Sequence, residues 1–364
     1  MSKHMRLAAA VAGLSGAFVA HAAADVRIGV IPDTQNFSER DTTTGSAPGA
    51  DIFNSMTTWL ADPAQEIEFV SHVGDIVQNG PNRNEWARMR AGADILDAAG
   101  VPTGWAIGNH DNQYNDSEFQ YDNQPARYPH LFPGGSFYGQ DLDFLGVDYA
   151  ENFGPNAPFN GGPSTYADQP WYLGASPSGL SSYQQITASD GRRYGFLHLA
   201  VDTPQPEIDW AQTVVSQYED VPTLLTTHRY MYDYRALAGR FSDATYEIDP
   251  LYYNTADHGY ESTKADDLFE TFVAQSGNIF GVIAGHVDGE YYQTSFNDNG
   301  EPVYEILRDY QSSAPLGGNG WTVVMSLDAD AGTLSLETYS PWTGETRDRS
   351  EEHTSELQSH APIS

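Results

Sequence analysis

Five short apolar runs in this chain each stop on a polar residue group, and that recurrence limits the fold more than any other feature. Val26 to Ile31 leads through Pro32 into Asp33-Thr34-Gln35, and Glu68 to Val73 into Gly74-Asp75. Val101 to Ile107 leads into Gly108-Asn109-His110-Asp111, Thr223 to Thr227 into His228, and Asn278 to Ala284 into Gly285-His286-Val287-Asp288. Apolar runs of this length, bounded by turn residues, read as strands. Tyr194 to Val201 reads as a further strand, and helical patterns over 52–60, 84–99, 208–218 and 264–275 alternate with the set; Gly100 closes the second. Such alternation predicts an α/β fold. Past Asp288 the pattern turns antiparallel: 290–296 with 302–308, and 321–327 with 333–339, flank Asn297-Asp-Asn-Gly300 and Asp328-Ala-Asp-Ala-Gly332.

Residues 112–193 break the regularity, being rich in Tyr, Phe, Gly, Pro, Asn and Asp, and are expected to form an aromatic-rich insertion with short strands and turns. The ends read differently from the body. Residues 1–22 carry a short polar start, an apolar stretch from Leu7 to Val19 and an Ala20-His21-Ala22 cleavage pattern, the features of a signal peptide. The expected location is therefore secreted or periplasmic. Residues 349–364 read as the translation of a sequencing-adapter oligonucleotide and are kept out of the fold reasoning. Residues 23–348 are expected to form a single domain, with length enough for a substantial core.

Composition narrows the chemistry. The chain has 17 Lys+Arg against 50 Asp+Glu, a net charge of -33, and no cysteine. The two ends hold Lys3, Arg6 and Arg349 against Glu351, Glu352 and Glu356, so the body keeps the whole imbalance, with Lys264 as its one lysine. Non-specific binding to nucleic acid needs cations that displace counterions from phosphates, and docking on anionic lipid needs the same sign. Neither a nucleic-acid polymer nor a membrane is an expected partner. Without cysteine there is no thiol nucleophile, disulfide or thiolate-held zinc. Chemistry must come from oxygen and imidazole.

Each of the five groups supplies such donors, and strand carboxyl ends are where ligand sites collect in α/β sheets. In order, they resemble the calcineurin-like metallophosphoesterases, whose pattern is Asp-x-His, Gly-Asp, Gly-Asn-His-Asp/Glu, a lone His, and Gly-His-x-His. The resemblance runs from Val26 to about Tyr339 apart from the insertion. It implies a four-layer α/β/β/α sandwich with two mixed sheets and two divalent metal ions at one edge. One ion would take Asp75, Asn109, His228 and His286; the other Asp33, Gln35, Asp75 and Asp288, with Asp75 shared. His110 would stand near the leaving-group oxygen, and Asp111 would hold its imidazole.

Gln35 and Asp288 depart from the family pattern, which has histidine at both places, and both serve the same ion. That position becomes all oxygen, which suits Mg, Mn or Ca, whereas imidazole suits Zn or Fe. The implied activity is hydrolysis of a small phosphate mono- or diester by a metal-activated hydroxide. The alternative is a metal-retaining binding or surface protein whose catalysis has faded. Other residues carry two readings each. Arg229 can reach a substrate oxygen or form a salt bridge, and His72 reads better as a packed core histidine than as a ligand. His258 lies in a loop. Gly317 to Trp321 fits a loop over the metals or a hairpin connection, and Tyr252, Tyr253 and the aromatics of 114–172 can wall a cleft or simply be buried. An acidic, lysine-poor body also suits a salty exterior, because salt screens its self-repulsion. The thermal unfolding midpoint should therefore rise between dilute buffer and molar NaCl, and an unchanged midpoint would remove that expectation.

Overall fold

The structure, a computed structural model, describes residues 25–39, 49–80, 82–112, 136–137, 140–141, 147–234, 237–241, 263–313 and 316–347. The signal and adapter-like ends, most of the aromatic-rich insertion before residue 147, and Tyr252, Tyr253 and His258 lie outside these residues.

The runs that precede the polar groups form the parallel centres of two mixed sheets. In the first sheet, β1 (Val26–Ile31), β2 (Ile67–His72) and β3 (Thr103–Trp105) are parallel. An antiparallel wing of β15 (Thr322–Asp328), β16 (Thr333–Ser340) and β17 (Glu345–Thr346) extends it beyond β1. In the second sheet, β8 (Arg193–His198), β9 (Thr223–Thr226), β12 (Ile279–Ala284) and β14 (Pro302–Asp309) are parallel. Its edges are antiparallel: β13 (Gly289–Phe296) beside β14, and β7 (Ser182–Thr187) then β6 (Tyr172–Ala175) beside β8. Two small pairs stand apart, β4 (Ser136–Phe137) with β5 (Gln140–Asp141), and β10 (Met231–Tyr234) with β11 (Leu237–Arg240).

Successive strand residues point to opposite faces, and the chain uses both. Phe196, Leu224 and Ile283 of the second sheet join Val26, Ile28, Val30 and Phe69 of the first in a core between the sheets. Their neighbours Leu197, Leu225 and Val282 point the other way, onto Ile208, Ala211 and Val215 of α5 (Gln205–Gln217) and onto Phe272 and Val273. Those last two sit in a π-helical turn, Phe269–Val273, that continues α6 (Ala265–Leu268). On the first sheet's outer face, α2 (Gly49–Ala61) and α3 (Arg83–Ala99) bury Ile52, Phe53, Met56, Trp86 and Leu96 against Ile31 and Val70. Asn82 caps α3 through the Asn84 N–H, and Gly100 ends it at φ 73°. Two further short helices among the described residues are α1 (Gln35–Ser38) and α4 (Val147–Asn152). Among the described residues no helix is long and apolar enough to cross a membrane.

Within the stretch read as an insertion with short strands and turns, 172–175 and 182–187 are such strands, and as β6 and β7 they belong to the second sheet. Their run is dotted with Ser, Gln and Gly, so no apolar alternation marks it. Gln184 is buried nonetheless, because its Oε1 lies 2.9 Å from Nδ1 of His198. His198 Nε2 in turn lies 2.8 Å from Ser71 Oγ, which meets Thr226 Oγ1 at 2.8 Å and so links the sheets. Gly104 makes room for this ring: a Cβ there would sit 2.0 Å from His198. Gly104→Ala should destabilise the protein by about 1–3 kcal/mol, the usual cost of overpacking a filled core. Urea unfolding would measure it, and a neutral result would mean the polar chain between the sheets yields easily.

Candidate metal centre

The parallel strands of both sheets end on one edge, and the polar groups meet there. Asp33 and Gln35 follow β1, Asp75 follows β2, Asn109 and His110 follow β3, His228 follows β9 and His286 follows β12. The chain must turn sharply after each strand. Gly74 does so at φ 106°, and two non-glycine residues, Asp75 at φ 52° and His286 at φ 77°, adopt the strained left-handed region. Backbone strain of this kind persists where surrounding structure enforces it, and it gathers at functional sites. The Thr34 N–H donates to the Asp75 carbonyl at 3.0 Å, tying the first two turns together.

Glycine is required where backbones close on ligand oxygens. A Cβ at Gly108 would lie 2.1 Å from Asp75 Oδ1, and one at Gly285 would lie 2.0 Å from Asp33 Oδ1. The glycines that precede Asn109 and His286 thus allow the carboxylates to sit against the next turn.

His228 is the hub. Its Nδ1 lies 3.0 Å from the Val73 carbonyl, which leaves Nε2 facing the site. Around Nε2 stand Asn109 Oδ1 at 3.0 Å, His286 Nδ1 at 3.1 Å and Asp75 Oδ1 at 3.2 Å. Ligand atoms of Asp75, His228 and His286 all lie within 4.8 Å of one another. Asp33 Oδ2 accepts the His286 N–H at 2.9 Å, while Asp33 Oδ1 and Gln35 Oε1 are buried with no hydrogen-bond partner among the described residues. Electron-pair donors turned inward on one another, with buried oxygens left over, fit divalent cations. The residues present thus suit the metals implied by the sequence.

Burial sets the electrostatics. Asp33, Asp75, Asp111 and Asp309 are all buried, and their hydrogen-bond partners here are amides, imidazole and backbone N–H groups. Burial, then the charges of Asp309 and Asp75, pushes the Asp33 carboxyl well above the carboxylate range. Burial also lifts Asp111 and Asp309 to about 7 each. Asp75 goes the other way: burial raises it, but the His228 and His110 imidazoles outweigh that and hold it below the usual range. His286 is held well below its ordinary value by burial and by His228. It is therefore a neutral imidazole, the form that binds metal.

Not every expected residue takes its expected place. Asp111 does not spend its carboxylate on orienting a ring: Oδ1 accepts the Val77 N–H at 2.9 Å and Oδ2 the Gly108 N–H at 2.8 Å, clasping two turns. The His110 ring is placed instead by the Gln78 carbonyl, 3.1 Å from Nδ1, with Nε2 directed toward Asp75 Oδ2 at 4.0 Å. Asp288 is exposed and accepts the Ser312 N–H at 3.2 Å, outside the buried cluster. Arg229 is buried in an ion pair with Asp202, Nε to Oδ1 at 2.8 Å, and not at the surface. His72 is buried and neutral, held down to about 3 by burial and His228, and stacks on Trp105. Its Nδ1 accepts the Gly74 N–H and its Nε2 meets Thr34 Oγ1, so it supports the first turns. Within the Gly317 to Trp321 loop, a Cβ at Gly318 would lie 2.9 Å from Phe37 of α1.

Two residues at this edge escaped the sequence reading, Asp309 at the end of β14 and Gln311 just past it. The 302–308 run reads as half of a hairpin, and β14 does pair antiparallel with β13. It also pairs parallel with β12, which brings its carboxyl end to the site. The available signal was the run itself, one more apolar strand closing on an acidic residue.

The profile of the calcineurin-like phosphoesterases matches residues 26–290, and the chain belongs to that family. It is 23% identical over 299 residues to the uncharacterized protein YvnB of Bacillus subtilis (strain 168), covering 80% of this chain and 18% of the relative. The chain thus spans under a fifth of that protein's length. Among solved structures it shares its fold with the purple acid phosphatase PPD1 from yellow lupin (Lupinus luteus) seeds. The TM-score is 0.51 at 15% identity, over 90% of this chain and 53% of the lupin chain. A dimetal phosphatase from Danio rerio aligns at a TM-score of 0.47 and 11% identity, over 87% of this chain and 97% of its own.

Protons and cations compete for these donors, so metal binding should release protons. Burial pushes the donor carboxyl of Asp33 well above the carboxylate range and that of neighbouring Asp309 to about 7, so protons occupy both in acid. The increase in unfolding midpoint caused by Mn²⁺ should therefore be small near pH 4 and grow as the pH rises through 7. Differential scanning fluorimetry of chelator-treated protein would measure it. Asp75→Asn should abolish the increase; a shift that is flat with pH would contradict the competition.

Proposed function

We propose that the chain is an exported, metal-dependent phosphoesterase that hydrolyses a small phosphate mono- or diester. The convergence of Asp75, Asn109, His228 and His286 on one point, in a chain of this family, carries the reading. Divalent cations bound there would supply Lewis acidity, easing deprotonation of a water and offsetting charge on the phosphoryl oxygens.

The remaining work falls to side chains in place. Asp75 sits between the two ligand groups: its Oδ1 lies 3.2 Å from His228 Nε2, and its Oδ2 accepts from Gln35 at 3.3 Å. It suits a shared carboxylate. His110 is only partly buried, and with Nδ1 beside the Gln78 carbonyl its Nε2 is the nitrogen that would hand a proton to a departing alkoxide. The backbone clasp by Asp111 fixes the turn that carries His110. A body of strongly negative charge repels anionic polymers, which favours small esters and fits the exported location.

The test is a panel of nitrophenyl phosphate, bis(nitrophenyl) phosphate, a glycerophosphodiester and a nucleotide, each assayed with Mn, Zn, Fe, Mg or Ca. Hydrolysis of at least one ester, lost on chelation, is the expected result. Protein that binds metal yet cleaves none would overturn the enzyme reading in favour of a metal-retaining binding role. His110→Ala should lower turnover of alkyl esters by on the order of 10²-fold or more, the usual worth of a general acid. Activated nitrophenyl esters should lose far less; equal losses would exclude the proton-donor role.

A further inference from the structure

The amide nitrogen of Gln311 has oxygens on three sides. Nε2 donates to Asp309 Oδ2 at 2.7 Å and to the His286 carbonyl at 2.9 Å, and it approaches Asp33 Oδ2 at 3.4 Å. An amide has two hydrogens to share among these three acceptors. Its Oε1 accepts from Gln35 Nε2, which also reaches Asp75 Oδ2. Side-chain amides from β1's turn and β14's turn therefore join three of the buried carboxylates, Asp33, Asp75 and Asp309.

Two further observations point to a ligand. Asp33 Oδ1 and Gln35 Oε1 belong to side chains 2% and 1% exposed, and neither atom has a hydrogen-bond partner among the described residues. Asp288, meanwhile, faces solvent and is engaged by the Ser312 backbone. The donor expected from the end of β12 is thus drawn away, while β14 delivers a buried carboxylate to the same edge.

From this juxtaposition we infer that Asp309 and Gln311 complete the second cation position with Asp33, Gln35 and Asp75, in the place expected for Asp288. The inference rests on the metal-dependent reading above. Turning the Gln311 amide over presents Oε1 where Nε2 now stands among the oxygens, and hard cations such as Mn²⁺, Mg²⁺ and Ca²⁺ select such sets of carboxylate and amide oxygens. Asp309 then holds the cation from the second sheet as Asp33 does from the first. In the unfilled arrangement the Gln311 Nε2 hydrogens link the same two carboxylates.

The test is titration of chelator-treated, full-length protein with Mn²⁺, followed by calorimetry and by the electron paramagnetic resonance of free Mn²⁺. Wild type should bind two equivalents. Asp309→Asn should weaken the second at least tenfold and leave the first within twofold. Asp288→Asn should leave both within twofold. Gln311→Glu, which puts a carboxylate where the amide stands, should tighten the second several-fold. A wild type with one equivalent, an Asp309→Asn protein with two equivalents of unchanged affinity, or loss of the second in Asp288→Asn would each overturn the inference. Should Asp309→Asn fail to fold by circular dichroism, the Gln311→Glu arm decides alone, and an unchanged or weaker second affinity there overturns it. Binding and turnover separate the two readings. Two equivalents that depend on Asp309, with no ester cleaved, would support this assignment and sink the enzyme. Cleavage with binding indifferent to Asp309 would do the reverse.

Discussion

Phe69 of the first sheet stacks on Phe196 of the second with ring centroids 3.7 Å apart and planes within 2°. That contact stands for the constraint on which the site depends, the face-to-face packing of two sheets whose parallel strands end on the same edge. Asp33, Asp75, Asn109 and His110 arrive from one sheet, and His228, His286 and Asp309 from the other. Neither sheet alone holds a complete set of donors. The apolar core between them, with Val26, Ile28 and Val30 against Leu224, Ile283 and Ile306, fixes the separation at which carboxylates can meet imidazoles. A polar chain through Ser71, His198 and Thr226 adds direction to a contact that burial alone leaves free to slide.

Much of this was legible in the sequence for a local reason. Each parallel strand is a short run closed by residues that turn the chain, so β1, β2, β9 and β12 could be placed within a residue or two. The residues that misled were those whose role depends on distant partners. Asp111 follows His110 directly, yet its carboxylate is taken by the Val77 and Gly108 amides across two turns. Asp288 has the spacing of a ligand, but the Ser312 N–H holds it outward. Asp309 and Gln311 sit in a segment that reads as a simple hairpin arm, and only the parallel partner on its other side reveals where the arm ends. Gln184 is the same lesson within the fold: nothing in the sequence marks this polar residue as buried until the histidine it serves is seen.

The cost of assembling such a site is visible in the backbone. Asp75 and His286 sit in left-handed conformations without being glycine, and Gly108 and Gly285 can take no side chain because a carboxylate oxygen occupies the space. Buried like charges add to this, with Asp33, Asp111 and Asp309 all pushed toward the protonated form. These are features a chain bears to hold cation donors in a fixed array and would shed if packing were the only demand.

The division of donors between two sheets has a mechanical consequence. Asp75 and His228, 3.2 Å apart at the hub, are separated by more than 150 residues of chain. An ion gripped by both is a cross-link that closes a long loop, the kind of closure that removes most freedom from the unfolded chain. The centre then serves as a rivet between the two halves of the molecule as well as a place for chemistry. Stripping it would loosen first the seam where the sheets meet, and only afterwards the helices packed on their outer faces.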